Sequence, residues 1–172
     1  MIRSIETGTN NEILRTKSEP VAKVTREIRK LARDMKATIG PAGGMGLAAP
    51  QIGEHVRMIL ITIPGEYYDD TGFEGCQPDK HMILINPEIT RFGADQCSFE
   101  EGCLSLPDYF ADVVRPCEVE FTALDEKGNE IGGEATGIFA RILQHEIDHL
   151  DGILFDDHVL NKRKKDPSKI YI

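Results

Sequence analysis

The sequence contains no apolar run long enough to cross a membrane. A membrane-spanning helix needs about 18 or more consecutive apolar residues, and no stretch of the 172 residues approaches that length. Residues 1–11 also lack the apolar segment of a secretory signal peptide, so we expect neither a signal peptide nor a membrane partner. The sequence shows no internal repeat and no linker, and its length predicts a single domain over residues 1–172.

Positive charge and cysteine are also scarce. Lys and Arg number 20 against 29 Asp and Glu, which gives a formal net charge of -9 at pH 7. This acidic balance argues against direct DNA binding and against a polybasic membrane contact. The chain is too long for a disulfide scaffold. In a reducing cytoplasm we therefore expect free thiols or a metal thiolate, and not disulfides, at Cys76, Cys97, Cys103 and Cys117.

Apolar residues at helical spacing predict two helices. The first covers residues 25–39, with Thr25 as its N-cap and a stop at Gly40-Pro41. The second begins after Thr136, runs to about residue 150 and stops near a glycine. Its apolar stripe predicts that it is buried in the core.

Strand and loop signals fill the segment between these helices. Apolar or alternating patterns predict strands at residues 58–63, 82–85 and 117–125. A hairpin turn is expected at 126–129. Residues 41–51 are rich in Gly and Pro and residues 64–80 are polar, so both are predicted to be loops, the second one long and on the surface.

The segment His145-Glu146-Ile147-Asp148-His149 carries the clearest chemical signal. Two histidines four residues apart on a helix lie on the same face, so both imidazoles can bind one metal ion. The glutamate between them can then handle the protons of a metal-bound water. Two unrelated surface histidines are the alternative interpretation of this spacing alone.

A catalytic metal site of this kind needs a third protein ligand and an open position. Cys103 is a candidate because Gly102 before it lets the backbone approach closely and because a thiolate binds soft or borderline metals well. From the residues alone, Cys97 remains an alternative.

Three segments of the chain form a recognisable set. They are Gly44-Met45-Gly46-Leu47-Ala48-Ala49-Pro50-Gln51, Glu101-Gly102-Cys103-Leu104-Ser105 and Gln144-His145-Glu146-Ile147-Asp148-His149. In their order and spacing they resemble the peptide deformylase family, and the resemblance covers about residues 13–155. It implies an α+β fold, in which small mixed or antiparallel sheets pack around a central metal-binding helix and the N-terminal helix lies on the outside.

The resemblance implies the metal, its ligands and the reaction. Cys103, His145 and His149 would hold one divalent ion, Fe2+ in the family, with Zn2+, Ni2+ or Co2+ as alternatives that suit the same donors. A metal-bound hydroxide would attack the formyl group of N-formylmethionyl nascent peptides and release formate. Glu146 would act as general acid and base.

The resemblance also implies the residues that would contact the substrate. The Gln51 side chain and the Leu104 backbone N–H would donate to the developing oxyanion. The peptide would bind as an added strand, with its methionine in an apolar pocket. The expected substrate-binding residues are Gly44, Met45, Gly46, Phe99, Glu101, Gly102, Ile138 and Ile142.

Two positions depart from the family's pattern. Phe110 stands where many bacterial members carry an arginine, and Arg141 stands where an apolar residue is common, so contacts beyond the methionine can differ. The sequence leaves open whether Arg141 lines the methionine pocket or points to solvent. We also expect Arg115 and Asp148 to pair behind the metal ligands, with Ser105 beside them.

Two other functions compete with this interpretation. A zinc endopeptidase shares the His-Glu-x-x-His motif but takes a downstream third ligand, for which only His158 fits loosely. A structural metal module would add Cys97 to Cys103 and the two histidines, and would leave Glu146 without a task. The basic run at 162–165 is expected to be a solvated end, and a transient ribosome contact is its alternative.

Overall fold

The computed structural model describes residues 1–159 and 163–164, with only the backbone described at residues 70 and 163–164. This part of the chain forms a mixed α+β structure. Its helices are α1 (Glu12–Arg15), α2 (Arg26–Ala42) and α3 (Gly137–Leu150). Its strands are β1 (Gly46–Ala48), β2 (Met58–Thr62), β3 (His81–Phe92), β4 (Gln96–Cys103), β5 (Leu106–Pro116), β6 (Glu118–Leu124), β7 (Glu130–Thr136) and β8 (Arg163–Lys164).

The strands form two small sheets, as the sequence analysis expects. One sheet has five strands in the order β1-β2-β3-β6-β7, and the other has three in the order β4-β5-β8. Neighbouring strands of both sheets are antiparallel. β6 and β7 form the predicted hairpin, and the buried residues Val119, Phe121 and Ala123 of β6 alternate with more exposed ones.

β2 is covered on both faces, which explains its continuous apolar sequence. Ile59 and Ile61 pack in the core cluster that contains the apolar residues of α3. Met58 and Leu60 pack in the cluster that contains the apolar residues of α2. Because alternate residues of a strand point to opposite faces, the two helices lie on opposite sides of the sheet.

α3 is the central helix of the fold. Twelve of its 14 residues are buried, including both histidines of the motif. α2 keeps one apolar stripe on the sheet and exposes its other face, so it is the outer helix that the sequence analysis expects. Among the described residues, no helix is both long and apolar enough to span a membrane.

The first helix ends three residues later than predicted. Thr25 caps the start as expected, but α2 continues through Gly40 and Pro41 to Ala42. Proline in a last turn keeps its ordinary φ, and the helix instead ends where Gly43 adopts the left-handed conformation, with φ 74°. The following segment is likewise more regular than predicted, since β1 lies within it.

The segment 64–80 is also more firmly packed than a surface loop. It includes a 3₁₀ turn at Gly65–Asp70, and Thr71 and Cys76 are buried. The ring of Phe73 lies 5.1 Å from that of Phe121 and 5.6 Å from that of Phe139. These contacts fix the middle of the segment to the main core.

Cys97 and Cys117 form a disulfide, so the expectation of free thiols is wrong for this pair. The register of β4 with β5 places Gln96 opposite Pro116, and Cys117 follows at once. The two cysteine Cα atoms are therefore 5.1 Å apart, within the range that a disulfide spans. Cys76 and Cys103 are free and buried.

Candidate functional site

Three side chains that are far apart in the sequence converge between β4 and α3. Cys103 is the last residue of β4, and His145 and His149 lie one turn apart on α3. One ligand atom from each lies within 4.8 Å of the others, and all three residues are buried. The Cys103 sulfur is 3.2 Å from Nε2 of His149. This group could hold one metal ion.

The buried polar atoms of this group fit an ion. Among the described residues, His145 Nε2, His149 Nδ1 and both carboxylate oxygens of Glu146 are buried without a hydrogen-bond partner. Buried polar atoms in proteins nearly always have partners, so such a concentration in one place marks an unmet ligand. A thiolate with two imidazoles suits Fe2+, Zn2+, Ni2+ and Co2+ alike, so the ligand types do not distinguish among these metals.

Burial controls the protonation of the free cluster. It raises the pKa of Cys103 to about 12, with a further contribution from nearby Glu146. It lowers the pKa of His149 well below its ordinary value, an effect that His145 reinforces. It also raises the pKa of Glu146 well above its usual range, with Glu101 adding to the shift. A bound divalent cation would instead lower the pKa of the Cys103 thiol and of the Glu146 carboxyl.

Gly46 allows Glu146 to lie against β1. A methyl group at this position would collide with the Glu146 carboxylate and would stand 2.8 Å from a methyl of Ile142. Since real side chains essentially never approach so closely, only glycine lets β1 and α3 pack with the glutamate between them. The small residues that the sequence analysis assigned to a loop therefore shape the site.

Gln51 is held next to the cluster by three contacts. Its side-chain oxygen accepts a hydrogen bond from the Ala48 N–H at 2.7 Å. Its amide nitrogen donates to Ser105 at 3.2 Å and lies 3.6 Å from the Cys103 sulfur. Because the oxygen is engaged with the backbone, the NH₂ group faces the cluster. Leu104 follows Cys103 in the turn between β4 and β5, so its backbone is adjacent as well.

The buried side chain of Glu101 orients His145 and is not available to contact a substrate. One carboxylate oxygen lies 2.9 Å from His145 Nδ1, and the other accepts from Arg115 at 2.7 Å and from Arg141 at 2.9 Å. Burial favours the neutral acid, but the hydrogen bonds from His145 and Arg115 outweigh it and hold the pKa of Glu101 below its usual range. Only the backbone of Glu101 remains available for the expected substrate contact.

The expected pairing of Arg115 with Asp148 is present. Arg115 donates to Asp148 at 2.6 Å and so links the α3 carboxylate to the Glu101 cluster. Ser105 contacts Gln51 and Cys103: its hydroxyl accepts from the Gln51 amide at 3.2 Å, and its backbone N–H donates to the Cys103 sulfur at 3.4 Å.

Apart from Glu101, the expected substrate-binding residues fall into three groups, and Met45 belongs to two of them. Gly44 and Met45 lie just before β1 and Gly46 begins it; among the described strands β1 pairs only with β2. Gly102 lies on β4, which pairs only with β5 in that part of the chain. Phe99 and Ile138 line a cavity of about 700 Å³. The third group, Met45 and Ile142, packs in the core cluster that also contains Ile138.

The structure does not support the ligand sets of the two competing functions. His158 lies 2.9 Å from the Asp148 carboxylate and is absent from the metal-competent group of the described residues. The sulfur of Cys97 is bonded to Cys117 in a disulfide, so Cys97 cannot serve as the fourth ligand of a structural metal site. Arg141, left undecided by the sequence, does not point to solvent: it is buried with its guanidinium on Glu101, and it lines the same cavity as Phe99 and Ile138.

Comparisons with known proteins agree with this geometry. A profile of the polypeptide deformylase family matches residues 2–165. The peptide deformylase of Mesorhizobium japonicum is 49% identical over 154 residues, which cover 90% of this chain and 82% of that protein. The crystal structure of peptide deformylase from Ehrlichia chaffeensis matches with a TM-score of 0.85 at 40% identity, over 92% of this chain and 88% of that one.

A second solved structure has a peptide bound. It is the Met-Ala-Ser-bound crystal structure of a class I type b peptide deformylase from Acinetobacter baumannii. It matches with a TM-score of 0.81 at 32% identity, over 92% of this chain and 99% of that one. From the family profile, the close relatives and the shared fold it follows that this chain belongs to the polypeptide deformylase family of enzymes.

Proposed function

We propose that this chain hydrolyses the N-formyl amide of N-formylmethionyl peptides and releases formate. The observation that carries the proposal is the buried, unpartnered Glu146 carboxylate beside the converged Cys103, His145 and His149. A purely structural metal site has no use for such a carboxylate, whereas hydrolysis needs a group that moves protons. The Acinetobacter relative binds Met-Ala-Ser, which is the product that such a reaction would leave from a formylated tripeptide.

The metal would be one divalent ion, and we propose Fe2+, with Zn2+, Ni2+ or Co2+ able to take its place. Cys103, His145 and His149 would hold it through the sulfur and one imidazole nitrogen each. When bound, such an ion supplies the Lewis acidity that makes a water nucleophilic near neutral pH.

Glu146 would act as the proton carrier of the reaction. It accepts a proton from the attacking water as the new bond to the formyl carbon forms. It then delivers that proton to the peptide nitrogen as the carbon–nitrogen bond breaks, which yields formate and a free amino terminus. Its burial suits this task, because burial raises the pKa of Glu146 above its usual range, and a proton carrier works best when its pKa lies near the pH of the reaction.

Gln51 and Leu104 would stabilise the negative charge that develops on the formyl oxygen. The Gln51 amide is fixed by the Ala48 N–H and cannot turn away, so its NH₂ group is already oriented. The backbone N–H of Leu104 would provide a second donor. Donors fixed before the reaction cost no reorganisation at the transition state, which is why each contributes strongly to the rate.

The peptide would bind as an extra strand between the edges of β1 and β4. Main-chain hydrogen bonds of this kind give affinity for any sequence, whereas the side-chain pocket gives selectivity. We assign the methionine to the cavity that Phe99 and Ile138 line. Phe110, which replaces the family's common arginine, is buried against Gly102, so it supplies no polar contact to the substrate at that position.

We place this activity in the cytoplasm, where nascent formylated chains are made. A transient ribosome contact by the basic run at 162–165 stays the alternative to a solvated end. Only the backbone of residues 163–164 is described in that run, so the contact lies outside the described side chains.

Formate release tests the proposal directly. Protein loaded with Fe2+ without oxygen, or with Ni2+, is incubated with formyl-Met-Ala-Ser, and formate is measured. N-acetyl-Met-Ala-Ser and metal-free protein serve as controls. We expect formate from the formylated peptide and no cleavage of internal peptide bonds. Absence of formate from the loaded protein would refute the proposal, and internal cleavage would favour a peptidase.

A further inference from the structure

Arg141 is a buried cation that the proposed reaction does not use. It lies on α3, and only 5% of its side chain is exposed. One guanidinium nitrogen donates to Glu101 at 2.9 Å and to the Val113 carbonyl at 3.1 Å, and the other donates to the Cys97 carbonyl at 2.7 Å. A single side chain thus connects α3 with β4 and β5 beside the metal-competent group.

Neutralising Glu101 does not require Arg141. Arg115 already binds both oxygens of that carboxylate, at 2.7 Å and 3.1 Å. Burial of a second guanidinium is costly, and it disfavours the charged form enough to lower the pKa of Arg141. A contact that is costly and unnecessary for charge balance needs another explanation.

The geometry of Glu101 provides that explanation. Arg115 reaches the carboxylate from β5, and Arg141 reaches the same oxygen from α3. Arg115 fixes the plane of the carboxylate, and Arg141 ties that carboxylate to α3, the helix that carries His145. The other carboxylate oxygen thus stays 2.9 Å from Nδ1 of His145. A hydrogen bond at Nδ1 fixes the imidazole plane and leaves Nε2 for an ion.

We infer that Arg141 is a positioning residue of the metal centre, which acts through Glu101 to hold the His145 imidazole toward the ion. The inference rests on the proposed metal-dependent function. The hydrogen bonds of Arg141 go to Glu101 and to two backbone carbonyls, and its side chain lines the cavity wall, where the guanidinium lies 5.8 Å from the Phe99 ring. A role in packing alone would therefore change peptide binding or stability, and a positioning role changes the metal centre.

The test uses metal affinity and the spectrum of the Co2+-loaded protein as primary readouts. The variants are Arg141→Met, which keeps the stem without the charge, Glu101→Gln, and the double variant. Arg91→Met removes an exposed arginine that pairs with Glu120, and it serves as the matched control. Zn2+ affinity is measured by chelator competition, and kcat and KM are measured with formyl-Met-Ala-Ser.

We expect Arg141→Met to weaken Zn2+ affinity about 10-fold or more and to change the Co2+ absorption spectrum, as loss of a group that orients a ligand usually does. Since Arg141 acts through Glu101, the double variant should bind Zn2+ no more weakly than Glu101→Gln alone. Arg91→Met should match the unaltered protein.

Two results would overturn the inference. One is an unchanged Zn2+ affinity and Co2+ spectrum in Arg141→Met, and the other is a full sum of both losses in the double variant. Should Arg141→Met not fold, Arg141→Lys takes its place, because lysine keeps the charge but cannot bond Glu101 and the Cys97 carbonyl together. Metal binding needs no substrate, so failure of formate release refutes the proposed function and leaves this test intact.

Discussion

Glu146→Gln is the substitution that most directly examines the proposed mechanism. Glutamine has nearly the size and shape of glutamate, so it fits the space that Gly46 leaves beside α3. It cannot accept a proton from water at neutral pH. The substitution therefore removes the chemistry of the side chain while it keeps the packing of the site.

The expected loss of activity follows from the surroundings of Glu146. Transfer of a proton by a positioned side chain contributes about 10²–10⁴-fold to a rate, or roughly 3–5 kcal/mol. Glu101 is a second buried carboxylate whose charge acts on Glu146, but Arg115, Arg141 and His145 occupy its oxygens, so it cannot take over. We expect a fall in kcat within this range and bound metal equal to that of the unaltered protein.

The assay is formate release from formyl-Met-Ala-Ser at matched metal content, which elemental analysis measures. Glu88→Gln, at an exposed position on β3, controls for the loss of one negative charge. A kcat within a factor of five of the unaltered protein, with full metal content, would refute the role given to Glu146. A fall in kcat that tracks loss of metal would instead make Glu146 a residue that supports metal binding.

Metal-free protein provides an independent check on the burial of Glu146. Its pKa is raised in the folded state, so its contribution to stability is fully present below its unfolded pKa and is lost as the pH rises. We expect the metal-free protein to lose stability between pH 5 and pH 8 by more than the Glu146→Gln variant does. Urea unfolding at pH 5 and pH 8 gives the free energy of unfolding of both proteins. An equal loss of free energy in the two proteins would contradict the prediction.

Three further predictions concern other parts of the chain. Gln51→Ala should lower kcat about 10²–10³-fold with metal retained, as loss of an oxyanion donor does, and metal analysis beside the formate assay checks it. Gly46→Ala should cost about 1–3 kcal/mol in urea unfolding, because the new methyl collides with buried Glu146 and Ile142; an unchanged midpoint would show that β1 can move. The ammonium of Met1 and Lys30 lower the pKa of Asp34 to about 2, so its stabilisation is present above its unfolded pKa and is lost as the pH falls toward 2. Asp34→Asn should therefore lower the free energy of unfolding by about 1 kcal/mol at pH 7, a modest value because the partners of Asp34 are exposed. Urea unfolding should show a smaller loss at pH 2.5, and an equal loss at both pH values would contradict the ion pair.

Local pattern was sufficient for the elements with clear periodicity. The apolar stripe of α3 and the spacing of its histidines predicted a buried helix with both histidines on one face, and the structure has this helix and brings the two histidines together with Cys103. The continuous apolar run of β2 predicted a buried strand. β4 and β5 were not predicted. β4 is exposed over its first five residues and has no alternation that a pattern could reveal. In β5 the burial alternates, but Val114 is exposed and Arg115 is buried, so the sequence does not show that alternation.

The arrangement around the metal-competent group depended on contacts between distant segments. The sequence by itself determined the chemical types present: a cysteine motif, a histidine pair with a glutamate between them, and a glutamine after a run of small residues. Only the tertiary structure decided that Cys97 bonds to Cys117, that the Glu101 side chain faces His145, and that Arg141 points inward. The physical reason is that periodicity reports which face of an element is buried, whereas the partner of a buried charge or thiol depends on strand register and on the packing of α3 against β4.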